Sequence, residues 1–280
     1  MQQLTWESIA AVVVFDIDGV IRDVGGSYRR ALADTVEQFT GGAYRPSATD
    51  IDELKAEGQW NNDWEASREL IYRYFEQQGQ SREAVGLDYE AVVAFFQSRY
   101  RGTDPHNWTG YICQEPLLLQ PTYLKSLTQA GMLWGFFSGA TRGSASYVLQ
   151  KRLGLTAPVL IAMEDAPGKP DPTGLVETVR LLESHPALQP MPEAMSEAIA
   201  PPPPVIYIGD TVADMHTVQN VRPLQPSRQW HAVGVLPPHA QAPADYAHSY
   251  THTLKAAGAD LVLTNVEQLT PQQIQQLISP

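Results

Sequence analysis

A single cysteine, Cys113, in 280 residues excludes an internal disulfide framework. It suits a reducing compartment, where a lone cysteine is most simply a small buried hydrophobe. Basic residues are also few: 19 Lys and Arg stand against 31 Asp and Glu, a formal net charge of −12. That balance argues against broad contact with nucleic-acid phosphates or an anionic membrane. It leaves room for a small anionic ligand wherever a local cation awaits it. No apolar run approaches the roughly 18 residues that a membrane helix needs, and Met1 to Ala10 lack the basic start and apolar stretch of a signal peptide. These absences predict a soluble, cytoplasmic protein with neither nucleic acid nor membrane as partner. The length allows a full core and one or two domains.

Among the features that are present, AAVVVFDIDGV, residues 10 to 20, stands out. Ala10 to Phe15 is apolar at every position and rich in valine, as in a strand covered on both faces of a parallel sheet. Side chains alternate along a strand, so Asp16 and Asp18 start on the same side at its tip, where Gly19 lets the chain turn. Two carboxylates in one small space repel, and desolvation adds to the cost. A divalent cation or a shared proton would relieve it. Taken alone, the same stretch also reads as a solvated turn after a core strand.

After residue 110, helical and strand-like stretches alternate. Pro121 to Ala130, Ser144 to Leu153, Pro172 to Leu182 and Ala213 to Val221 read as helices. Met132 to Phe137, Pro158 to Met163, Val205 to Ile208, Ala232 to Leu236 and Leu261 to Leu263 read as strands. Such alternation predicts βαβ units, hence an α/β fold with a doubly wound parallel sheet whose ligands bind at the carboxyl ends of the strands. Those ends carry Asp16 and Asp18, then Ser138, then Lys169 in the loop after the third strand, then Asp210. Each alone has a plain structural reading: Ser138 and Asp210 as helix N-caps, Lys169 as a solvated loop lysine. All of them on one rim, with one cation beside three carboxylates, favour a site.

The set DIDGV, FFSGATR, GKPDP and IGDTVADM resembles, in that order, the four motifs of the haloacid dehalogenase superfamily, over residues 9 to 21 and about 110 to 280. The resemblance implies a Rossmann-like core and, in most members, a magnesium-dependent phosphatase. The spacing from Asp16 to Ser138 is 122 residues, whereas Ser138 to Lys169 is 31 and Lys169 to Asp210 is 41. One βαβ step needs only about 30. The surplus in the last gap is SHPALQPMPEAMSEAIAPPPP, residues 184 to 204, a Pro-rich surface loop. The first surplus is a second domain. Ser27 to Phe39, Thr49 to Glu57, Asp63 to Gln77 and Asp88 to Arg101 show helical apolar spacing, with Gly41, Gly42, Gly58 and Gly79 as stops. This insert is similar to the type 1 helical cap domain of family subgroup IA. The core is therefore expected over 1–22 and 109–280 and the cap domain over 23–108, with Leu70, Ile71, Tyr74 and Phe75 in the bundle core.

On this resemblance Asp16 is the nucleophile that forms an aspartyl phosphate, and Asp18 protonates the leaving oxygen and later activates water. Mg2+ is held by Asp16, the backbone carbonyl of Asp18 and Asp210. Asp214 either orients the metal shell or serves as first-turn helix charge. Ser138, the Gly139 amide and Lys169 hold the phosphoryl oxygens of a small phosphorylated metabolite. Halide-removing and phosphonate-cleaving members lack the second acid of DIDGV, so Asp18 speaks for phosphoryl transfer. A sugar phosphomutase shares the motif and the cap domain and stays as the alternative. A non-catalytic binding protein requires a broken site, which this is not. In QWNNDW, residues 59 to 64, Asn62 or Asp63 caps the following helix while Trp60 and Trp64 pack inward; alternatively Asn61 or Asn62 contacts the leaving group and Trp64 excludes water. Arg22 is expected to offer a cation to a second anionic group of the substrate.

Overall fold

Residues 11 to 15 are wholly removed from solvent, as their unbroken apolar run demands, and form β1 (Ala11–Phe15). The computed structural model describes residues 9–60, 62–184 and 201–279, and by internal packing the chain divides into two units, Met1–Arg22 with Leu117–Pro280, and Asp23–Pro116. Most of the Pro-rich segment and Asn61 lie outside the described residues.

The first unit is the expected doubly wound α/β domain. Its strands β1, β2 (Met132–Phe137), β3 (Leu160–Ile161), β4 (Val205–Gly209), β5 (Trp230–Val235) and β6 (Leu261–Leu263) make one parallel sheet in the order β3-β2-β1-β4-β5-β6. Strand β1 is central, with Val13 in register with Trp134 of β2 and Ile206 of β4. The winding reverses between β1 and β4, and at such a switch point the loops leave in opposite directions and open a crevice. Alternation sends Ala11, Val13 and Phe15 into one core with Leu124, Leu127, Val148 and Ile274. Val12 and Val14 enter the other, with Leu175, Val179, Met215, Val218 and Leu254.

Several boundaries differ from expectation. The expected strand 158–163 is ladder-paired only at Leu160–Ile161, as befits a short edge strand. The helix expected over 144–153 is α-helical at Arg142–Ser146 and continues as a wider π turn over Tyr147–Arg152. Two core helices had no sequence counterpart, Ala244–Ala256, which fully buries only Leu254, and Pro271–Ile278, whose Ile274 is buried with Leu277 and Ile278 packed beside it on the same face.

The second unit is helical, with α1 (Tyr28–Phe39), α2 (Ala48–Ala56), α3 (Asp63–Gln77), α4 (Arg82–Val85) and α5 (Tyr89–Tyr100). Its core joins Leu32, Val36, Leu70, Ile71, Val92 and Phe96, and Tyr28 stacks on Tyr100 with ring centroids 3.9 Å apart. Leu70 and Ile71 are buried as expected, whereas Tyr74 and Phe75 are only half-buried. The unit ends at Pro116 rather than at residue 108. A 3-10 turn at Tyr111–Gln114 belongs to it, because the Tyr111 hydroxyl donates to Asp34 at 2.7 Å and Ser27 donates to buried Glu115 at 2.5 Å. No helix among the described residues is long and apolar enough to cross a membrane.

In the 59–64 segment, Asn62 Oδ1 accepts from the backbone N–H groups of Trp64 at 2.9 Å and Glu65 at 3.4 Å. It is the N-cap of α3, which satisfies donors that the first turn leaves orphaned. Trp60 and Trp64 are half-buried, and the Trp60 indole donates to Glu57. Asn62→Ala is expected to lower stability by about 1 kcal/mol in chemical denaturation while leaving the ranking of substrates unchanged. A reordered ranking with no loss of stability overturns the capping role.

Candidate active site

The loops at the carboxyl end of the switch point bring Asp16, Lys169, Asp210 and Asp214 together. Asp16 directly follows β1, and its backbone N–H extends the ladder by donating to Ile208 O of β4 at 2.8 Å. Asp210 directly follows β4. One ligand oxygen each from Asp16, Asp210 and Asp214 falls within 4.8 Å of the others, and all three residues are buried. Two glycines make the approach possible. A Cβ on Gly19, whose φ is +72°, would lie 2.0 Å from Asp210 Oδ2, and one on Gly209 would lie 2.2 Å from the Asp214 carboxyl carbon.

Asp214 is more firmly held than the sequence implied. It is the N3 residue of the helix Val212–Val221, and its Oδ2 closes a capping box by accepting from Thr211 N at 2.9 Å and Oγ1 at 2.7 Å. Its Oδ1 accepts from Lys169 Nζ at 2.6 Å and from the Tyr207 hydroxyl at 2.9 Å. The first-turn role and a site role thus coincide: four donors fix Asp214, and Asp214 in turn fixes Lys169. Burial would raise its carboxyl pKa, but Lys169 and the Thr211 donors outweigh burial and hold it below the usual value.

Lys169 Nζ also lies 2.9 Å from Asp16 Oδ1, between the rings of Phe137 and Tyr207 at 5.2 and 5.4 Å. Burial alone would lower its pKa; Asp16 and Asp214 raise it instead, so the ammonium is retained. Asp16 receives less help. Burial, aided by Asp214 and Asp18, outweighs Lys169 and pushes its carboxyl up to about 7. The contact to Lys169 is close but poorly aligned, and among the described residues Asp16 Oδ1 accepts no well-formed hydrogen bond. Three buried carboxylates close to one another, only two of them in contact with the Lys169 ammonium and with one oxygen unsatisfied, suit a hard divalent cation. The donor set is all oxygen, as such an ion requires.

Ser138 is buried at the end of β2, and its Oγ accepts from Ala140 N at 3.1 Å, which leaves the hydroxyl proton free to donate. Gly139 beside it is exposed. Asp18 lies past the turn with its side chain 26% exposed, and Arg22 grips it, with Nε 2.6 Å and the terminal nitrogen 2.5 Å from Oδ1. Arg22 is completely buried, so it does not display a cation for a second anionic group in the manner expected. Tyr207 is a site residue that sequence reading missed. Its signal was a hydroxyl inside a strand buried on both faces, a group that must find a partner.

Residues 10–221 match the model of the haloacid dehalogenase-like hydrolases. The chain is similar in structure to phosphatase Tt82 from Thermococcus thioreducens (22% identity, TM-score 0.57, 87% of this chain and 99% of that one). It is similar as well to a family IA, variant 3 hydrolase from Entamoeba histolytica (14%, 0.58, 96% and 99%) and to CbbY from Rhodobacter sphaeroides in complex with phosphate (14%, 0.54, 93% and 96%). In sequence it is 28% identical over 259 residues to an imidazoleglycerol-phosphate dehydratase from Phytophthora nicotianae, over 90% of this chain. The chain spans about half the length of that curated relative. With the match covering most of its length, the chain belongs to the haloacid dehalogenase-like hydrolase family.

Proposed function

We propose that the protein is a magnesium-dependent phosphatase that hydrolyses a small phosphomonoester through Asp16. The observation that carries this reading is the pairing of a buried, under-satisfied Asp16 with an ammonium, Lys169, that Asp214 holds in place. In the first step a carboxylate oxygen of Asp16 attacks phosphorus, the ester P–O bond breaks, and the leaving oxygen takes a proton from Asp18. In the second, Asp18 accepts a proton from water, the water oxygen bonds to phosphorus, and the bond to Asp16 breaks to release inorganic phosphate. Lys169, the Ser138 hydroxyl and the exposed Gly139 amide balance the phosphoryl charge. Asp16, Asp210 and the backbone carbonyl of Asp18 would hold Mg2+, with Asp214 anchoring the surrounding groups. When bound, the ion supplies countercharge to the carboxylates and to phosphate. The helical unit is read as a cap domain that selects the substrate.

The Phytophthora relative is named for a reaction on imidazoleglycerol phosphate, which suggests imidazole-bearing phosphomonoesters as the substrate class for this chain. A dehydratase removes water and leaves the phosphate ester in place, so a phosphatase acting in the same series has an ester to cleave. The test is phosphate release across imidazole-bearing, sugar and amino-alcohol phosphates with magnesium. Release is expected to fall to background in excess chelator and to return when magnesium is restored. Full activity in chelator overturns the metal assignment. Rapid isomerisation of a sugar monophosphate with little free phosphate makes the protein a mutase instead.

A further inference from the structure

Resting on the phosphatase reading above, we infer that Arg22 is the positioning residue for Asp18, clamping one carboxylate oxygen so that the other is presented for proton exchange. The turn after β1 is built to bring the two together. With Gly19 in the left-handed region, Gly19 N donates to Arg22 O at 2.9 Å and Ile21 N to Ile17 O at 2.8 Å, which sets Arg22 alongside Asp18. Arg22 also forms a bridge with Leu117, where the chain re-enters the α/β unit, so its backbone is tied at both ends of the excursion. The short contacts from Nε and the terminal nitrogen both end on Oδ1 of Asp18. Neither of these two contacts involves Oδ2.

Nε donates to that oxygen while the terminal nitrogen lies close to it without a well-aligned hydrogen bond, and a planar guanidinium held in this way fixes orientation as well as distance, which an ammonium does not. Arg22 is the largest of the fully buried side chains, so it has little freedom to swing, whereas Asp18 is partly exposed and would otherwise sample several rotamers. Desolvating a guanidinium is costly, and an apolar side chain of similar volume would serve packing as well. A general acid depends on being within hydrogen-bond reach of the leaving oxygen in the correct orientation, and a loosely held carboxyl forfeits much of that effect.

Two substrates separate this role from a structural one. An alkyl ester, glycerol 2-phosphate, needs its leaving oxygen protonated; p-nitrophenyl phosphate departs as a stabilised anion and needs little help. The measured quantity is kcat/KM for each substrate, which reports steps up to the first irreversible one, expressed as the alkyl-to-aryl ratio. Within one preparation that ratio cancels the fraction of folded enzyme, so a destabilised variant stays informative. Arg22→Met is expected to lower the ratio about 10-fold or more, in the same direction as Asp18→Asn, for which general-acid loss is worth roughly 10² to 10⁴. Arg22→Lys is expected to restore part of it. The double variant is expected to show no further drop beyond Asp18→Asn, since both changes remove one function. A ratio that falls in Asp18→Asn but is unchanged in Arg22→Met overturns the inference about Arg22 alone. A ratio unchanged in both removes Asp18 from the proton-carrying role, and wild-type protein that cleaves neither ester with magnesium removes the phosphatase reading; either result takes the inference with it.

Discussion

Asp16→Asn is expected to abolish turnover, by roughly 10⁴-fold or more, and in the same protein to raise the melting temperature measured without metal above pH 7. The amide matches the carboxyl in shape but is no nucleophile. The gain in stability follows from what burial does to Asp16. Its carboxyl pKa is raised to about 7, so the folded state holds that proton more tightly than the unfolded chain does. For a raised pKa, the stabilising contribution is complete below the unfolded value near 4 and is lost as pH climbs through about 7. Asparagine never ionises and escapes the loss. It also gives up the contact with Lys169, which tempers the gain to about 1–3 kcal/mol at pH 8, a few degrees in a chain of this size. The two melting curves should converge near pH 4. Added magnesium should reverse the order at pH 8, because only the wild type regains a counterion for Asp16. A variant that melts below the wild type in metal-free buffer at pH 8 would show the Asp16 charge to be a structural asset, and the reading of an under-satisfied nucleophile would fail.

How far the site was legible depended on where each residue sits in its strand. Asp16, Ser138 and Asp210 were readable because each directly follows an apolar run, and a polar residue at that position points into the crevice of a parallel sheet. Lys169 was readable as the single cation within the loop after the third strand. Tyr207 was not, because an aromatic among Val205, Ile206 and Ile208 looks like core until the turn at Thr211 carries Asp214 back over its hydroxyl. The same turn explains Asp214: its separate readings as helix charge and as site residue were both incomplete, since one carboxylate closes the capping box and anchors Lys169. Arg22 was misread because charge invites the assumption of exposure; burial appears only when the tight turn at Gly19 is built. The helix Ala244–Ala256 fully buries only Leu254, a period too weak to register in sequence, whereas Pro271–Ile278 carries Ile274, Leu277 and Ile278 at helical spacing, a stripe that was legible and was passed over.

The larger cost in stability falls on Lys169. Lys169→Met is expected to lower kcat/KM by on the order of 10³-fold, as removing one preorganised charge contact to a developing oxyanion does, and to destabilise the fold by about 3–5 kcal/mol at pH 8. Methionine retains an unbranched stem between the Phe137 and Tyr207 rings, so the loss is chiefly one of charge. In the wild type, burial would raise the Asp214 carboxyl, yet Lys169 and Thr211 hold it low. A lowered pKa stabilises above the unfolded value near 4, and that contribution fades as pH falls through the folded value. Without Lys169 the sign inverts. Tyr207 and Thr211 still donate to Asp214, but no ammonium faces it or Asp16, so both carboxyls take up protons more readily and stability falls as pH rises. The deficit of the variant should therefore be greatest at pH 8 and shrink toward pH 4.5. Magnesium should recover part of the melting temperature by supplying countercharge, without recovering turnover, since the ammonium that balances the phosphoryl oxygens stays absent. Urea denaturation at pH 8, 6 and 4.5 checks the first expectation, and phosphate release in the same preparations checks the second. A deficit equal at all three pH values would assign Lys169 to packing and separate it from the charge balance on which the proposed chemistry depends.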